Sequence, residues 1–422
     1  MAERDAPAEA AFQAEVREHL RRNYLAHLGH GLLGQTGMRL VNAPTLIPYY
    51  VSSLAGFDAA AGIARGLQYL GMFLSPVLGA TIIEHRRRVL PVGFVVGALM
   101  RLQILGIALA GLFLPAPWPL IAAWLLLGQF GFFLGIQGVV FNFLVSKVIP
   151  VERRGALMGL RNALAGLTAA GVAVYAGGLV ERNALGNGYA ATLLLAFAMT
   201  SVGLMLLAFV REPETHTVRE AAPVRQRLSQ LPALLRSDRA FTRYFLARAM
   251  ANAGRMAVPF YVLSVRDRVG LDGGELGGIT GAFILAQSMG PLLGGLVADR
   301  RGFRFVFLVS LGVWILAVLA LMKASSGAEF VVVFAALGAG LGGFQASSQN
   351  LVLEFGSRRN LPMRIAVANS ASDLVAGLSS LCGAALSLFV SLPALFWTAI
   401  AFQVAALLVV LLLVDEPRRR ES

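Results

Sequence analysis

Lysine is almost missing from this 422-residue chain: of its 36 basic residues, only Lys147 and Lys323 are not arginine. Cysteine occurs once, at Cys382 in an apolar stretch, which excludes a disulfide framework and any cysteine-based metal site. Charge of either sign is scarce, at 14% of residues, against 57% hydrophobic residues and a mean hydropathy of +0.70. A water-soluble chain of this length has no means of keeping so much apolar surface out of solvent. A Gly-x-x-x-x-Gly-Lys-Ser/Thr loop is also missing, since neither lysine sits in that context, so ATP hydrolysis is not expected. No Ser/His/Asp, metal or nucleotide constellation can be assembled, which argues against an enzyme, and no cofactor is expected. Nor is a cleavable leader: the first 22 residues mix acids and bases, and the apolar segment after them is too long for a signal peptide.

What the chain does have is a series of long apolar runs. A bilayer core about 30 Å thick needs roughly 20 mostly apolar residues per spanning helix. Polar interruptions mark twelve runs, at roughly 24–51, 62–83, 89–113, 118–146, 158–180, 189–210, 241–265, 277–298, 304–323, 328–353, 364–389 and 393–414. The expected fold is all-α and integral to the membrane: 12 transmembrane helices in two pseudo-symmetric six-helix bundles. Its expected parts are a cytoplasmic segment over 1–22, a first bundle over 23–211, a cytoplasmic linker over 212–240, a second bundle over 241–414 and a cytoplasmic tail over 415–422. Within the first segment Phe12, Val16 and Leu20 recur at helical spacing beside Arg17, Arg21 and Arg22, which fits a helix on the membrane surface or a solvated tail.

The distribution of charge sets the orientation. With the N-terminus inside, the inner segments hold Arg86–Arg88, Lys147, Arg153, Arg154, seven arginines between 211 and 243, Arg300, Arg301, Arg304, Arg358, Arg359, Arg364 and Arg418–Arg420. Assigned to the outer loops are only Arg65, Arg182, Arg266, Arg268 and Lys323. This is the positive-inside asymmetry, and it absorbs the net charge of +13 without a nucleic-acid partner. The expected setting is a bacterial cytoplasmic (inner) membrane, with several crossings and both termini in the cytoplasm; the lipid bilayer is the main partner of a monomeric chain.

The two halves repeat each other. Gly135, Gln137 and Asn142 of the fourth run match Gly343, Gln345 and Asn350 of the tenth, at an offset of 208. Pro76, Leu78 and Gly79 match Pro291, Leu293 and Gly294; Pro48-Tyr49-Tyr50-Val51 resembles Pro259-Phe260-Tyr261-Val262; Asn162 and Asn369 open the fifth and eleventh runs. Parallel repeats joined by a basic linker are a transporter architecture, with the solute site between the halves.

After the eighth run comes Gly295-Leu296-Val297-Ala298-Asp299-Arg300-Arg301-Gly302-Phe303-Arg304. It resembles the signature loop of the major facilitator superfamily, Gly-x-Leu-Ala-Asp-Arg-x-Gly-Arg-Arg, departing at Val297 and Phe303. The resemblance implies that Gly295, Asp299, Arg300, Gly302 and Arg304 form and break bridges between helix ends as the halves rock between two open states. In the first half the same place reads Ala80-Thr81-Ile82-Ile83-Glu84-His85-Arg86-Arg87-Arg88, a degenerate copy with Glu84 for the acid and Arg87 for the glycine. Pro150-Val151-Glu152-Arg153-Arg154-Gly155, with Gly159 and Arg161 beyond, resembles the family's loop between the fourth and fifth spans. The likeness runs over essentially the whole chain and is silent on substrate.

Ionisable residues inside a bilayer are costly, at about 2.5–3.5 kcal/mol each on insertion scales, and mark function. Arg39, Arg101, Arg248 and Arg255 lie within apolar runs, and Asp373 is the one clear mid-run acid, with Glu354 at an edge. Gln35, Arg39 and Asn42 fall at i, i+4, i+7 on one face of the first helix, and Arg248, Asn252 and Arg255 do the same on the seventh. Asn369 and Asp373 share a face of the eleventh, Gln345 and Gln349 one of the tenth, while Gln137 and Asn142 lie on the fourth and Gln68 and Gln287 on the second and eighth. The family resemblance places these helices around the central cavity. The surplus of arginine over acid points to a small anionic solute, with Arg39 and one of Arg248 or Arg255 as its ligands. The other reading is structural: arginine paired with Asp373, and Arg248 close enough to the edge to reach water. Arg101 has no evident partner. His27 and His30, at the start of the first helix, fit packing better than a proton relay.

The expected function is secondary transport of a small solute by alternating access, proton-coupled through Asp373 or facilitative. Efflux of amphipathic drugs by proton antiport is the alternative, set back by the fifth run, Gly166 to Gly178, which lacks the Gly-Pro of drug antiporters. A membrane sensor or assembly protein on a transporter scaffold is the non-transport alternative.

Overall fold

The computed structural model describes residues 12–214, 238–355 and 361–414. Most of the linker and the tail lie outside these residues, as do Arg219, Arg225, Arg227, Arg236, Arg358, Arg359, Arg418–Arg420 and the side chain of Arg364. Among the described residues the chain is helical, and nine helices are long and apolar enough to cross a membrane. One of them, Gly273–Lys323, runs two spans together: its 51 residues are divided at Gly302, where φ is 80° and ψ 160°. Without a Cβ, glycine takes this backbone at no steric cost, so the signature-loop glycine is what separates the eighth span from the ninth.

The first and seventh spans are absent from the nine because each is assembled from short pieces. The first consists of Leu20–His30, a π-helical turn over Gly31–Gln35, then Thr36–Asn42 and Leu46–Ala55. Ala43 stands before Pro44 with ψ 143°, the extended conformation that a following proline favours, and the helix stops there. The seventh consists of Arg239–Ala253, a 3-10 stretch over Gly254–Phe260 that contains Pro259, and Tyr261–Val269. With these two and the double helix, the spans number twelve. The others are Ala59–Glu84, Leu90–Phe113, Trp118–Val148, Val151–Glu181, Gly188–Leu206, Gly327–Leu351, Leu361–Phe389 and Leu392–Leu413. Pro91, Pro119 and Pro393 sit in first turns, where their missing N–H costs nothing. Asp272 with Glu275, and Ser326 with Glu329, form capping boxes at the starts of the eighth and tenth spans.

The turns at 85–89, at 149–150 and around Gly302 share one end of the molecule, here called the Arg-rich face. At the opposite face the two bundles close on each other, the second span against the eleventh and the fifth against the eighth. Gly177 and Gly273 meet there backbone to backbone; a Cβ on either would collide with the other's carbonyl. Arg266 ties this face further, with Nη2 2.8 Å from Asp58 Oδ1 and Nη1 donating to Ser52 Oγ at 2.9 Å. At the Arg-rich face, by contrast, nothing among the described residues lies within 4 Å of a Cβ built on Gly155, Gly159 or Gly295.

Each bundle has a charged joint at its Arg-rich end, and the two joints have opposite chemistry. In the first, the Glu212 carboxylate accepts from the backbone N–H of Val89 and Leu90, at 2.7 and 2.8 Å, and from Lys147 Nζ at 2.8 Å. An anion thereby caps the start of the third helix. In the second, Arg304 donates to the carbonyls of Val410 and Leu411, at 3.2 and 2.9 Å, so a cation caps the end of the twelfth. Both choices suit the helix dipole.

Candidate functional site

The polar residues of the first bundle form a closed network. Arg65, buried near the start of the second span, donates to Gln68 Oε1 at 2.8 Å and to the carbonyls of Asn42 and Ala43 at 3.1 and 3.4 Å. Those carbonyls come free where the first span breaks at Pro44, and the guanidinium occupies them. Gln68 Nε2 donates to Asn42 Oδ1 at 2.8 Å, and Asn42 Nδ2 to the Met38 carbonyl at 2.9 Å. The expectation that Arg65 belongs to an outer loop is therefore corrected. The turn there is short, with the helix beginning at Ala59, so Arg65 is inside it. Asn42, a candidate ligand, has both amide atoms engaged within its own bundle.

In the second bundle Arg248 donates to the Ser348 carbonyl at 3.3 Å and to Asn369 Oδ1 at 2.8 Å. It is 5% exposed, so the expectation that it reaches water at the helix edge is also corrected. Asn252 donates to the Arg248 carbonyl at 2.8 Å and accepts from Arg255 Nη1 at 3.0 Å. Arg255 then crosses to the first bundle: its guanidinium lies 4.7 Å from the Tyr69 ring centroid and Nη2 donates to the Tyr69 hydroxyl. A second crossing runs the other way, from Arg39 Nη1 of the first span to Ser288 Oγ of the eighth at 2.5 Å. Asp373 is half-buried within electrostatic reach of Arg255 and Arg248. Among the described residues no carboxylate lies within 4 Å of Arg39, Arg65, Arg248 or Arg255, so the structural Arg–Asp373 pair does not form. The Nε atoms of Arg39, Arg248 and Arg255 are buried without a partner, as is Gln35 Oε1.

The remaining candidates divide. Gln287 Nε2 meets Gln345 Oε1 at 3.4 Å, joining the eighth and tenth spans; Gln137 is buried with its Oε1 unpartnered; Asn142 and Gln349 are exposed. Arg101 gains the partners the sequence left unidentified: Nε donates to the Thr200 carbonyl at 2.7 Å and Nη1 to the Gly97 carbonyl at 2.6 Å, so it binds the third span to the sixth. His30 accepts at Nδ1 from Arg161 Nη2 at 3.2 Å, and the Arg161 guanidinium lies 4.4 Å from the Phe141 ring centroid. Because a guanidinium only donates, that contact fixes His30 as the neutral imidazole with its proton on Nε2. Residues whose part was not read from the sequence are Arg65, Tyr69, Ser288 and Glu212.

With this geometry the molecule can be compared with known proteins. Residues 244–422 match the family model of the Major Facilitator Superfamily. The fold extends the likeness to the whole chain. A D-xylose–proton symporter superimposes with a TM-score of 0.72 at 13% identity, covering 95% of this chain and 99% of the other. The nucleoside transporter NupG gives 0.71 at 12%, covering 93% and 98%, and a bacterial homologue of the iron transporter ferroportin, in an inward-facing state, gives 0.64 at 15%, again covering 93% and 98%. No curated protein matches the chain. The second half thus resembles the Major Facilitator Superfamily in sequence, and the whole chain shares the fold of these transporters.

The loop that resembles the superfamily's signature serves here at two distinct places. Gly302 makes the break between spans and Arg304 reaches the twelfth helix, as described above, whereas Asp299 and Arg300 are exposed at the Arg-rich face and Gly295 is half-buried. In the degenerate copy Glu84 is half-buried and the Arg87 side chain exposed, while the Arg87 carbonyl accepts from Lys147 Nζ at 2.6 Å. Where the first bundle lacks the signature arginine, Lys147 and Glu212 tie the corresponding helix ends.

Proposed function

We propose that this chain is a secondary transporter of the major facilitator superfamily that carries a small anionic solute by alternating access, with the Arg-rich face in the cytoplasm. On that orientation the face at which the bundles pack together, through Gly177, Gly273 and Arg266, is the outer one. The observation that carries the reading is the pair Arg39 and Arg255: two cations at the bundle interface whose partners are neutral hydroxyls and an amide, each with a buried Nε–H unused. A buried guanidinium with only neutral partners and an idle donor is undersatisfied, and a carboxylate or phosphate oxygen supplies both charge and acceptor. Gln35 and Arg248 border the same region, and Asn42, Arg65 and Gln68 hold its wall rather than the solute. Asp373, close to two arginines and bonded to neither, is the coupling group: a proton there and an anion on the arginines neutralise the site together.

The test is thermal stabilisation of the purified protein by carboxylates and phosphate esters, compared with cationic drugs. Anions are expected to raise the melting temperature of the parent, and Arg39→Gln to reduce that response at least tenfold in apparent affinity. Stabilisation by cations alone, or an anion response unchanged in Arg39→Gln, overturns the reading. In proteoliposomes Asp373→Asn is expected to abolish pH-driven accumulation while leaving solute exchange, the signature of a coupling residue.

A further inference from the structure

Arg39 and Arg255 both reach out of their own bundle, and each ends on a hydroxyl of the other. Arg39 of the first span holds Ser288 of the eighth; Arg255 of the seventh holds Tyr69 of the second. The two ties are crossed, so each bundle supplies one cation and one hydroxyl. Tyr69 sits in the closed part of the interface: its neighbours Gly66 and Leu70 pack on Leu381 and Gly377 of the eleventh span. Its ring is flanked by guanidiniums, Arg255 at 4.7 Å and Arg65 at 5.9 Å from the centroid. Arg65 is fixed by the carbonyls of Asn42 and Ala43, so the Tyr69 side of the tie is held rigidly while Arg255 is the member that can leave.

We propose that Tyr69 is a positioning residue of the transport cycle: its hydroxyl parks Arg255 across the bundle interface, and an anionic solute, on binding, takes Arg255 from it and frees the closed face to open. This rests on the anion reading above. The exchange is favourable because a guanidinium–oxyanion hydrogen bond is roughly twice as strong as one to a neutral hydroxyl. It also gives the solute a differential effect on the two states, which any ligand-driven conformational change requires. Ser288 plays the same part toward Arg39. A hydroxyl suits this office better than a carboxylate: it holds the cation in the empty protein and yields it to a stronger acceptor.

The experiment uses the full chain carrying Cys382→Ser, with spin labels at Leu185→Cys and Ala328→Cys, exposed positions in the closed-face loops of the two bundles. Their separation is measured by pulsed dipolar spectroscopy, without anion and across titrations of inorganic phosphate and of glutarate. Tyr69→Phe keeps the ring and its stack but removes the hydroxyl. It is expected to raise the separated population without anion about fivefold, and to lower the half-saturating anion concentration by a similar factor, the worth of one net hydrogen bond. Ser288→Ala is expected to act in the same direction, and Arg255→Gln to open the closed face while losing the anion response. If Tyr69→Phe matches its parent in both measures while Arg255→Gln abolishes the anion response, the parking role is overturned and the anion reading stands. If neither anion shifts any variant, the anion reading fails and the displacement step fails with it, whatever Tyr69→Phe does to the empty protein.

Discussion

At Arg65 a guanidinium 6% exposed serves two carbonyls left open by the break before Pro44 and a glutamine that in turn orients Asn42. Arg65→Gln leaves those acceptors buried and unserved, and is expected to destabilise the protein by about 3 kcal/mol. Thermal unfolding of the purified variant checks this, and Arg65→Lys, which keeps the charge without the planar fork, is expected to recover only part of the loss. The arginines of the first and seventh spans were legible in sequence because a cation in an apolar run is conspicuous and helical spacing groups it with its polar neighbours. Arg65 was not, because it falls in the first turn of the 62–83 run, where an arginine is expected to reach water, and no neighbour at helical spacing announces the carbonyls it serves. Tyr69 and Ser288 gave no signal at all. A tyrosine or serine in a membrane helix has the composition of ordinary packing, and only the approach of the other bundle gives it a role.

Among the elements, the joints at the Arg-rich ends have the plainest energetic consequence. The Lys147–Glu212 pair has side chains only 4% and 3% exposed. Glu212→Gln strands a buried ammonium and weakens the cap on the third helix, so a loss of about 3–5 kcal/mol is expected, read as a fall in unfolding temperature. Lys147→Met in the same chain is expected to restore a large part of it, which a double-mutant cycle measures. The signature loop announced the corresponding joint of the second bundle, and nothing announced this one, since Glu212 follows the last apolar run and reads as the start of a charged linker. The repeat was legible in part. Tyr50 and Tyr261, matched in sequence, are both buried with hydroxyls accepting a side-chain donor, from Asn187 at 3.3 Å and from Trp314 at 2.9 Å. Gly135 and Gly343, matched at the 208 offset, do different work, one packing on Ser75 of the second span and the other on Ser310 of the ninth. Letters repeat where backbone geometry demands them, and neighbours need not follow.

For the whole molecule, the proposed alternation between two open states depends on modest contacts at the closed face. The Arg266–Asp58 pair is partly exposed, at 27% and 19%, and such pairs contribute about 0.2–1 kcal/mol. Asp58→Asn is expected to shift the ratio of open to closed forms at that face by up to about fivefold, in the distance measurement described above. Added salt is expected to shift the parent the same way and the variant less. Twelve crossings were readable from hydropathy, because the bilayer imposes one length on every span, and the two bundles from the repeated residues; how the bundles meet was not, because their contacts join residues far apart in sequence. The two joints bear also on how the protein is made. Glu212 follows the sixth span, and Arg304 finds its carbonyls only on the twelfth, so each joint waits for the last span of its own bundle. During synthesis a half-emerged bundle carries open helix ends and, in the first, a lysine with no acid to meet it. Each half is therefore expected to complete its Arg-rich end only when its last span arrives, the first half ahead of the second.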